Sequence, residues 1–163
     1  ANAKKNIAQN NLENRIQTKL TDGLNNIDLK ASDLIVISGM GTNTIIKILK
    51  PYLELLNNII IQSNRDLEKL RNFMFANGFD VKNEKAIYDD HYYVFIHFFK
   101  DDSKHDKIDS WLGPIIKNSE DSNYFSFLLN KYKKVSTKVP ENDPRKNEID
   151  SRIKILESLI EKK

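Results

Sequence analysis

Residues 35–43, IVISGMGTN, bring an apolar run to two glycines separated by a single methionine, and an amphipathic stretch follows. Three chemistries suit such a junction. A glycine-rich turn after a buried strand can cradle the pyrophosphate of a dinucleotide. It can be a plain turn joining strand to helix. It can also belong to another kind of active site, in which backbone atoms approach a ligand closely because glycine carries no Cβ. The dinucleotide pattern requires a third glycine three residues after the second, and Thr44 stands there. It also requires an acid about 20 positions on, at the end of the next strand. That stretch reads Ile61-Gln62-Ser63-Asn64 instead. A phosphate loop of the Gly-Lys-Ser/Thr type is absent. The plain turn and the other active site remain open on these residues alone.

Strands and helices that could position this loop alternate along the chain. Residues 1–8 read as the body of a helix without an N-cap. RIQTKLTDGL predicts a short strand through Ile16, Lys19 and Leu20, closed by a turn at Asp22-Gly23. DLIVISG predicts an apolar strand buried on both faces. A helix from Thr42 to Lys50 is broken by Pro51. NNIIIQSN predicts a second buried strand. A helix from Asp66 to Asn77 turns Leu67, Leu70, Phe73 and Met74 inward and closes at Gly78. Two strands then flank a turn at Asp89-Asp90-His91. Together these predict an α/β, mostly parallel, doubly wound sheet with an antiparallel strand at one edge. Ligands of such sheets sit at the carboxyl ends of strands. Three candidate ends follow: Asp22-Gly23, residues 38–41, and Gln62-Ser63-Asn64.

After Lys100 the pattern changes. Residues 101–117 form a polar connection. Phe125, Leu128, Tyr132, Val135 and Val139 follow helical spacing, as do Ile149, Ile153, Leu156 and Ile160, with VPENDP between the two stripes. This predicts an antiparallel coiled-coil hairpin over residues 118–163, appended to a sheet domain over residues 1–100.

The 163 residues carry a formal charge of +3, with 39% hydrophobic and 30% charged residues. That suits a soluble domain with a real core. No cysteine is present, which excludes disulfides, thiolate zinc sites and cysteine catalysis. No apolar run approaches the roughly 20 residues of a membrane span. A cytoplasmic protein is expected. The mild basicity permits an RNA partner.

KNIAQNNLENRIQTKLTDGL, DLIVISGMG, IIIQSN, DDHYY and LGPII occur in this order. They resemble the bacterial tRNA adenine-N1-methyltransferases that modify adenine 22, the TrmK type. The corresponding family stretches are N-x-x-x-x-G-L, G-D-G-L, I-A-G-M-G-G, L-Q-P-N, E-D-G-K-x-Y-E and G-P-F-L. Thr42 replaces the family's second consecutive glycine, and Ser63 replaces its proline. The resemblance implies a Rossmann-like class I methyltransferase sheet followed by a C-terminal α-helical coiled-coil hairpin. It implies S-adenosylmethionine as cofactor and methyl transfer to N1 of an adenine in tRNA. It places Asp22 on the cofactor's adenine, with Gly23 and Leu24 in the turn beside it. Ser38, Gly39, Met40 and Gly41 would lie between cofactor and target base. Gln62 and Asn64 would contact that base, order the loop, or simply cap strand ends. The family's first two strands have no counterpart, so the chain is expected to be N-terminally incomplete and inactive alone, its parent a monomer. A non-enzymatic RNA-binding or scaffold module is the competing reading.

Lys131, Lys133, Lys134 and Lys138, with Arg145, Lys146, Arg152 and Lys154 on the partner helix, form a candidate grip on RNA phosphates. Nearby acids make an ordinary solvated face the alternative. His91, His97 and His105 show no metal-like spacing with a carboxylate, and no metal site is expected. Tyr92, Tyr93, Phe95, Phe98 and Phe99 read mainly as a core strand. Trp111 is expected to anchor the junction.

Overall fold

A computed structural model describes residues 2–101 and 103–162. Ala1, the expected start of the first helix, and Asp102, within the expected connection, lie outside the described residues, as does Lys163. The elements are helices α1 (Asn2–Gln9), α2 (Thr42–Leu49), α3 (Leu67–Phe75), α4 (Lys107–Trp111), α5 (Ser122–Ser136) and α6 (Pro144–Glu161). The strands are β1 (Leu34–Met40), β2 (Asn58–Ser63), β3 (Phe79–Asp89) and β4 (His91–Lys100).

The sheet runs β1-β2-β4-β3. β1 and β2 are parallel, and β4 is antiparallel to both of its neighbours, β2 and β3. The antiparallel strand therefore lies inside the sheet, not at its edge as expected, and the edge position falls to β3. A tight hairpin at Asp90, with φ +58°, forces β3 and β4 to pair. Only one side of β4 is then left to meet β2.

β2 is buried as the apolar run predicted, with Ile59 and Ile61 at 0% exposure. β1 is not. Only Ile37 is buried, while Leu34 and Val36 are exposed, because β1 pairs with β2 alone. The expected strand through Ile16, Lys19 and Leu20 does not form. These residues are irregular and Leu20 is fully exposed. Without a partner ladder and an apolar face to bury, a five-residue stretch has nothing to hold it extended.

α2 buries Ile45 and Leu49, and α3 buries Leu70 and Met74, in one core with the strands. Gly78 ends α3 region at φ +72°. The two C-terminal stripes form an antiparallel helical hairpin. Ser136 Oγ bonds Asp150 at 2.9 Å, and Lys133 meets Glu157 at 2.7 Å further along. Asp121 and Asp143 cap the two helices, and Pro144 occupies the first turn of α6. Phe125 and Leu156 are fully buried in the same core as the sheet. Val135 is 40% exposed, so the predicted stripe does not stay inward to its end. No helix among the described residues is long and apolar enough to cross a membrane.

Both edges of the sheet contain irregularities that decide side-chain direction. In β3 the register shifts between Val81 and Asn83. The extra residue reverses the alternation, so Phe79 and Val81 point inward and then so does Glu84. In β1 the register shifts between Ile37 and Met40, at the glycine loop.

Candidate active site

The β1 irregularity holds Gly39 at φ +76°, a conformation that favours glycine. Three polar contacts close around it. The Gly39 amide donates to Gln62 Oε1 at 2.7 Å, Gln62 Nε2 donates to Asn64 Oδ1 at 3.0 Å, and Asn64 Nδ2 donates to the Gly39 carbonyl at 3.0 Å. The Asn64 amide also donates to the Met40 carbonyl at 3.0 Å. Gln62 is buried, so its side chain works as an internal strut. Nothing lies within 4 Å of where a Cβ on Gly39 would stand, which leaves the loop backbone open on that side.

Just behind the loop, Thr42 begins α2. Its hydroxyl is buried and lies 2.9 Å from Ser63 Oγ, and it also donates toward the Arg65 carbonyl. Ser63 Oγ reaches the Met40 carbonyl at 3.3 Å. The two departures from the resembled pattern, Thr42 and Ser63, thus bond to each other and tie the two strand ends together.

A 370 Å³ cavity adjoins the loop, lined by Gly39, Gln62, Ser63, Asn64, His91, Tyr92 and Tyr93. Its neighbour, of 770 Å³, extends between α3, β4 and the helical hairpin. Ser63, Asn64, His91 and Tyr92 line both. His91 opens β4 and lies over Tyr93, with ring centroids 4.0 Å apart. Partial desolvation, with the Asp121 and Tyr88 charges adding, raises the Tyr92 hydroxyl above its ordinary value.

Among the expected site residues, Gly39, Gln62 and Asn64 come together, with Ser38, Met40 and Gly41 in the same loop. Asp22, Gly23 and Leu24 line neither cavity. Their turn packs on α2, where a Cβ on Gly23 would meet Ile48 side-chain atoms at 3.2 Å. Ile48 is six residues beyond the helix start, about 9 Å along the axis.

The expected basic grip is partly occupied. Lys133 pairs with Glu157, Arg145 with Asp143 at 2.6 Å, and Lys146 with Glu141 at 3.2 Å. Lys131 and Lys134 are exposed on α5, and Lys138 lies just past its end. These three form no ion pair with a described carboxylate. Arg152 turns inward, bonding Tyr132 at 3.0 Å and Glu68 at 2.8 Å, with Trp111 5.0 Å away.

His97 sits in β4 beside Asn58, and desolvation, assisted by Lys82, lowers its pKa. Phe98 is fully buried, whereas Phe95 is 37% exposed.

The sequence reading missed Arg71 and Glu84. They form a fully buried ion pair at 2.9 Å. Arg71 also donates to the Trp111 carbonyl at 3.1 Å, and Glu84 Oε1 accepts the Ile115 and Ile116 amides at 2.8 and 2.9 Å. LGPII is thereby fastened to the sheet. One signal was available: Arg71 falls on the inward stripe Leu67, Leu70, Met74. Glu84 gave none, because the bulge that turns it inward is invisible in the strand pattern.

The family model for tRNA (adenine(22)-N(1))-methyltransferase, TrmK, matches residues 1–161. M. capricolum TrmK, whose structure holds the cofactor product S-adenosyl-homocysteine, is 29% identical, with a TM-score of 0.78. The match covers 98% of this chain and 74% of that one. The B. subtilis M1A22 tRNA methyltransferase TrmK is 20% identical with a TM-score of 0.75, over 97% of this chain and 76% of that one. It attests the fold alone. A curated Mycoplasma genitalium protein, provisionally named a tRNA methyltransferase, is 35% identical over 78 residues. That match spans 47% of this chain and 36% of the relative, so the chain accounts for about a third of its length. The fold is thus the expected Rossmann-like methyltransferase sheet with a helical hairpin behind it.

Proposed function

The chain belongs to the tRNA (adenine(22)-N(1))-methyltransferase family, and from that premise we propose that it serves transfer of a methyl group from S-adenosylmethionine to N1 of adenine 22 in tRNA. The observation that carries this reading is the open Gly39 backbone, held by Gln62 and Asn64 beside a cavity. A loop with positive φ and no Cβ fits a ligand that must lie against main-chain atoms. Ser38, Gly39 and Met40 would hold S-adenosylmethionine on this side. When bound, that group supplies a methyl on a positively charged sulfur.

The protein's own work is positioning. Adenine N1 is already a nucleophile, so aligning it and excluding water supply most of the acceleration. Gln62 and Asn64 spend their polar atoms on each other and on Gly39. Their proposed role is to order the loop. Ser38 and Gly41 flank the loop where the target base enters. Asp22, Gly23 and Leu24 remain the proposed contacts for the cofactor's adenine. Lys131, Lys134 and Lys138 are the basic residues most available to phosphates, with Lys133, Arg145 and Lys146 at their margin. We assign the activity to the cytoplasm and to a monomer.

The direct test is transfer of labelled methyl to a tRNA transcript carrying adenine at position 22, compared with one carrying guanine there. Label confined to the adenine transcript supports the reading, and equal label in both overturns it. One observation favours a second reading, an RNA-binding module without cofactor: the Asp22 turn lies against Ile48 and lines neither cavity. Calorimetry with S-adenosyl-homocysteine separates the two, since the module would give no heat of binding.

A further inference from the structure

The 770 Å³ groove next to the glycine loop has a lining that methyl transfer alone does not explain. Its volume is in the range of pockets that take a nucleotide-sized ligand. One wall is the start of α3, with Arg65 and Lys69. The other is α5, where Phe127 and Lys131 lie one turn apart. None of these three cations forms an ion pair with a described carboxylate, and Lys69 donates to the neutral Asn43 at 2.8 Å. Two acids line the groove: Glu68 is held by Arg152, which leaves Asp66 as one carboxylate against the three cations. The free charge of the groove is therefore positive.

Its apolar surface is aromatic and accessible. Phe127 is 41% exposed although α5 has a buried side available. Its ring lies 4.9 Å from that of Tyr92, which in turn lies 5.0 Å from Tyr124. The buried Tyr124 and the strand residue Tyr92 fix this ledge from below. The groove joins the loop cavity through Asn64, His91 and Tyr92.

We propose that this groove binds the single-stranded RNA nucleotide next to the methylated adenine, with its base on the Phe127–Tyr92 ledge and its phosphates between Arg65, Lys69 and Lys131. The inference rests on the methyl-transfer reading for which base lies next door, but not for the chemistry of the groove. Aromatic faces spaced among unpaired cations are what an unstacked strand requires. Stacking is tolerant of base identity, so the groove positions the strand and does not read its sequence. Opening the strand here also helps to present adenine N1, which a paired helix would hide.

The test uses a fluorescein-labelled RNA pentamer with a central adenine, titrated into the chain and followed by anisotropy at several salt concentrations. Phe127→Ala weakens binding roughly 5- to 150-fold, the range of one lost stack, and Phe127→Tyr restores it. Lys131→Gln and Lys69→Gln each lower the salt slope by about 1. Lys50→Gln, just past the far end of α2, changes neither quantity. Absence of binding, or binding indifferent to Phe127 and Lys131, overturns the proposal. S-adenosyl-homocysteine calorimetry on the same samples reports separately on the methyl-transfer reading. A chain that binds S-adenosyl-homocysteine but shows indifferent RNA binding loses the groove and keeps the function. A chain with Phe127-dependent RNA binding and no S-adenosyl-homocysteine binding keeps the groove and loses the function.

Discussion

Glu84 occupies the space that any side chain at position 113 would need: a Cβ built on Gly113 falls 2.1 Å from Glu84 Oε1. The same carboxylate takes the Arg71 guanidinium and two backbone amides. Gly113 also sits at φ +109°. Steric fit, charge and backbone conformation therefore meet at one point, where the sheet joins the helical hairpin.

Gly113→Ala should destabilise the fold by on the order of 3 kcal/mol, since the methyl group displaces Glu84 and strains the backbone. Gly39→Ala is the instructive contrast. It meets nothing within 4 Å, so only the left-handed backbone penalty of about 1–2 kcal/mol applies. Its Cβ nevertheless projects into the open side of the loop, and S-adenosyl-homocysteine affinity should fall more than stability does. Thermal melts and calorimetry on the two variants separate the effects.

Arg71→Leu leaves Glu84 charged and buried, at a cost of about 3–5 kcal/mol. The double variant Arg71→Leu with Glu84→Leu removes both charges and should recover part of that loss. Recovery is incomplete, because the Ile115 and Ile116 amides lose their acceptor. Urea midpoints for the two single variants and the double variant give the coupling directly.

Gln62→Leu keeps the strand but removes the acceptor for the Gly39 amide and the donor to Asn64. The expected loss is about 1 kcal/mol of loop order, seen as faster hydrogen exchange at Gly39 with the β2 amides unchanged. Exchange at Gly39 identical to the parent protein would show that the side chain is only a strand-end cap.

Desolvation pushes the buried Tyr124 hydroxyl up to about 12, although the nearby Arg71 charge pulls the other way. In the unfolded chain a tyrosine ionises near 10. Its contribution is fully present below about pH 10 and is lost as pH rises toward about 12, because only the unfolded state gives up its proton in that window. The loss should be on the order of 2 kcal/mol. Tyr124→Phe should flatten the alkaline fall in stability, and one of the six tyrosines should resist titration at 295 nm until about pH 12.

Local signals in the chain were sufficient for elements whose neighbours lie close in sequence. The spacing of Ile45 and Leu49, of Leu70 and Met74, of Phe125 and Leu128, and of Leu156 and Ile160 marked four helices and their inward faces, since helical periodicity is a property of the segment itself. Asp90 and Gly78 marked a turn and a helix end for the same reason. The glycine pair of residues 39 and 41 marked the loop between β1 and α2, and the ordered motifs pointed to its family. Pairing across the sheet was decided elsewhere. β4 lies between β2 and β3 because the hairpin leaves only one side of it free, and no residue of β4 encodes that alone. Val36 and Leu34 are as apolar as Ile59 and Ile61, yet they are exposed, because burial depends on what lies opposite. Glu84 faces Arg71 only because one extra residue in β3 reverses its alternation. Gly39 meets Gln62 and Asn64 only because β1 and β2 shift register there. Contacts between residues 13 to 32 positions apart are settled by register and burial, and these exist only once the chain has closed on itself.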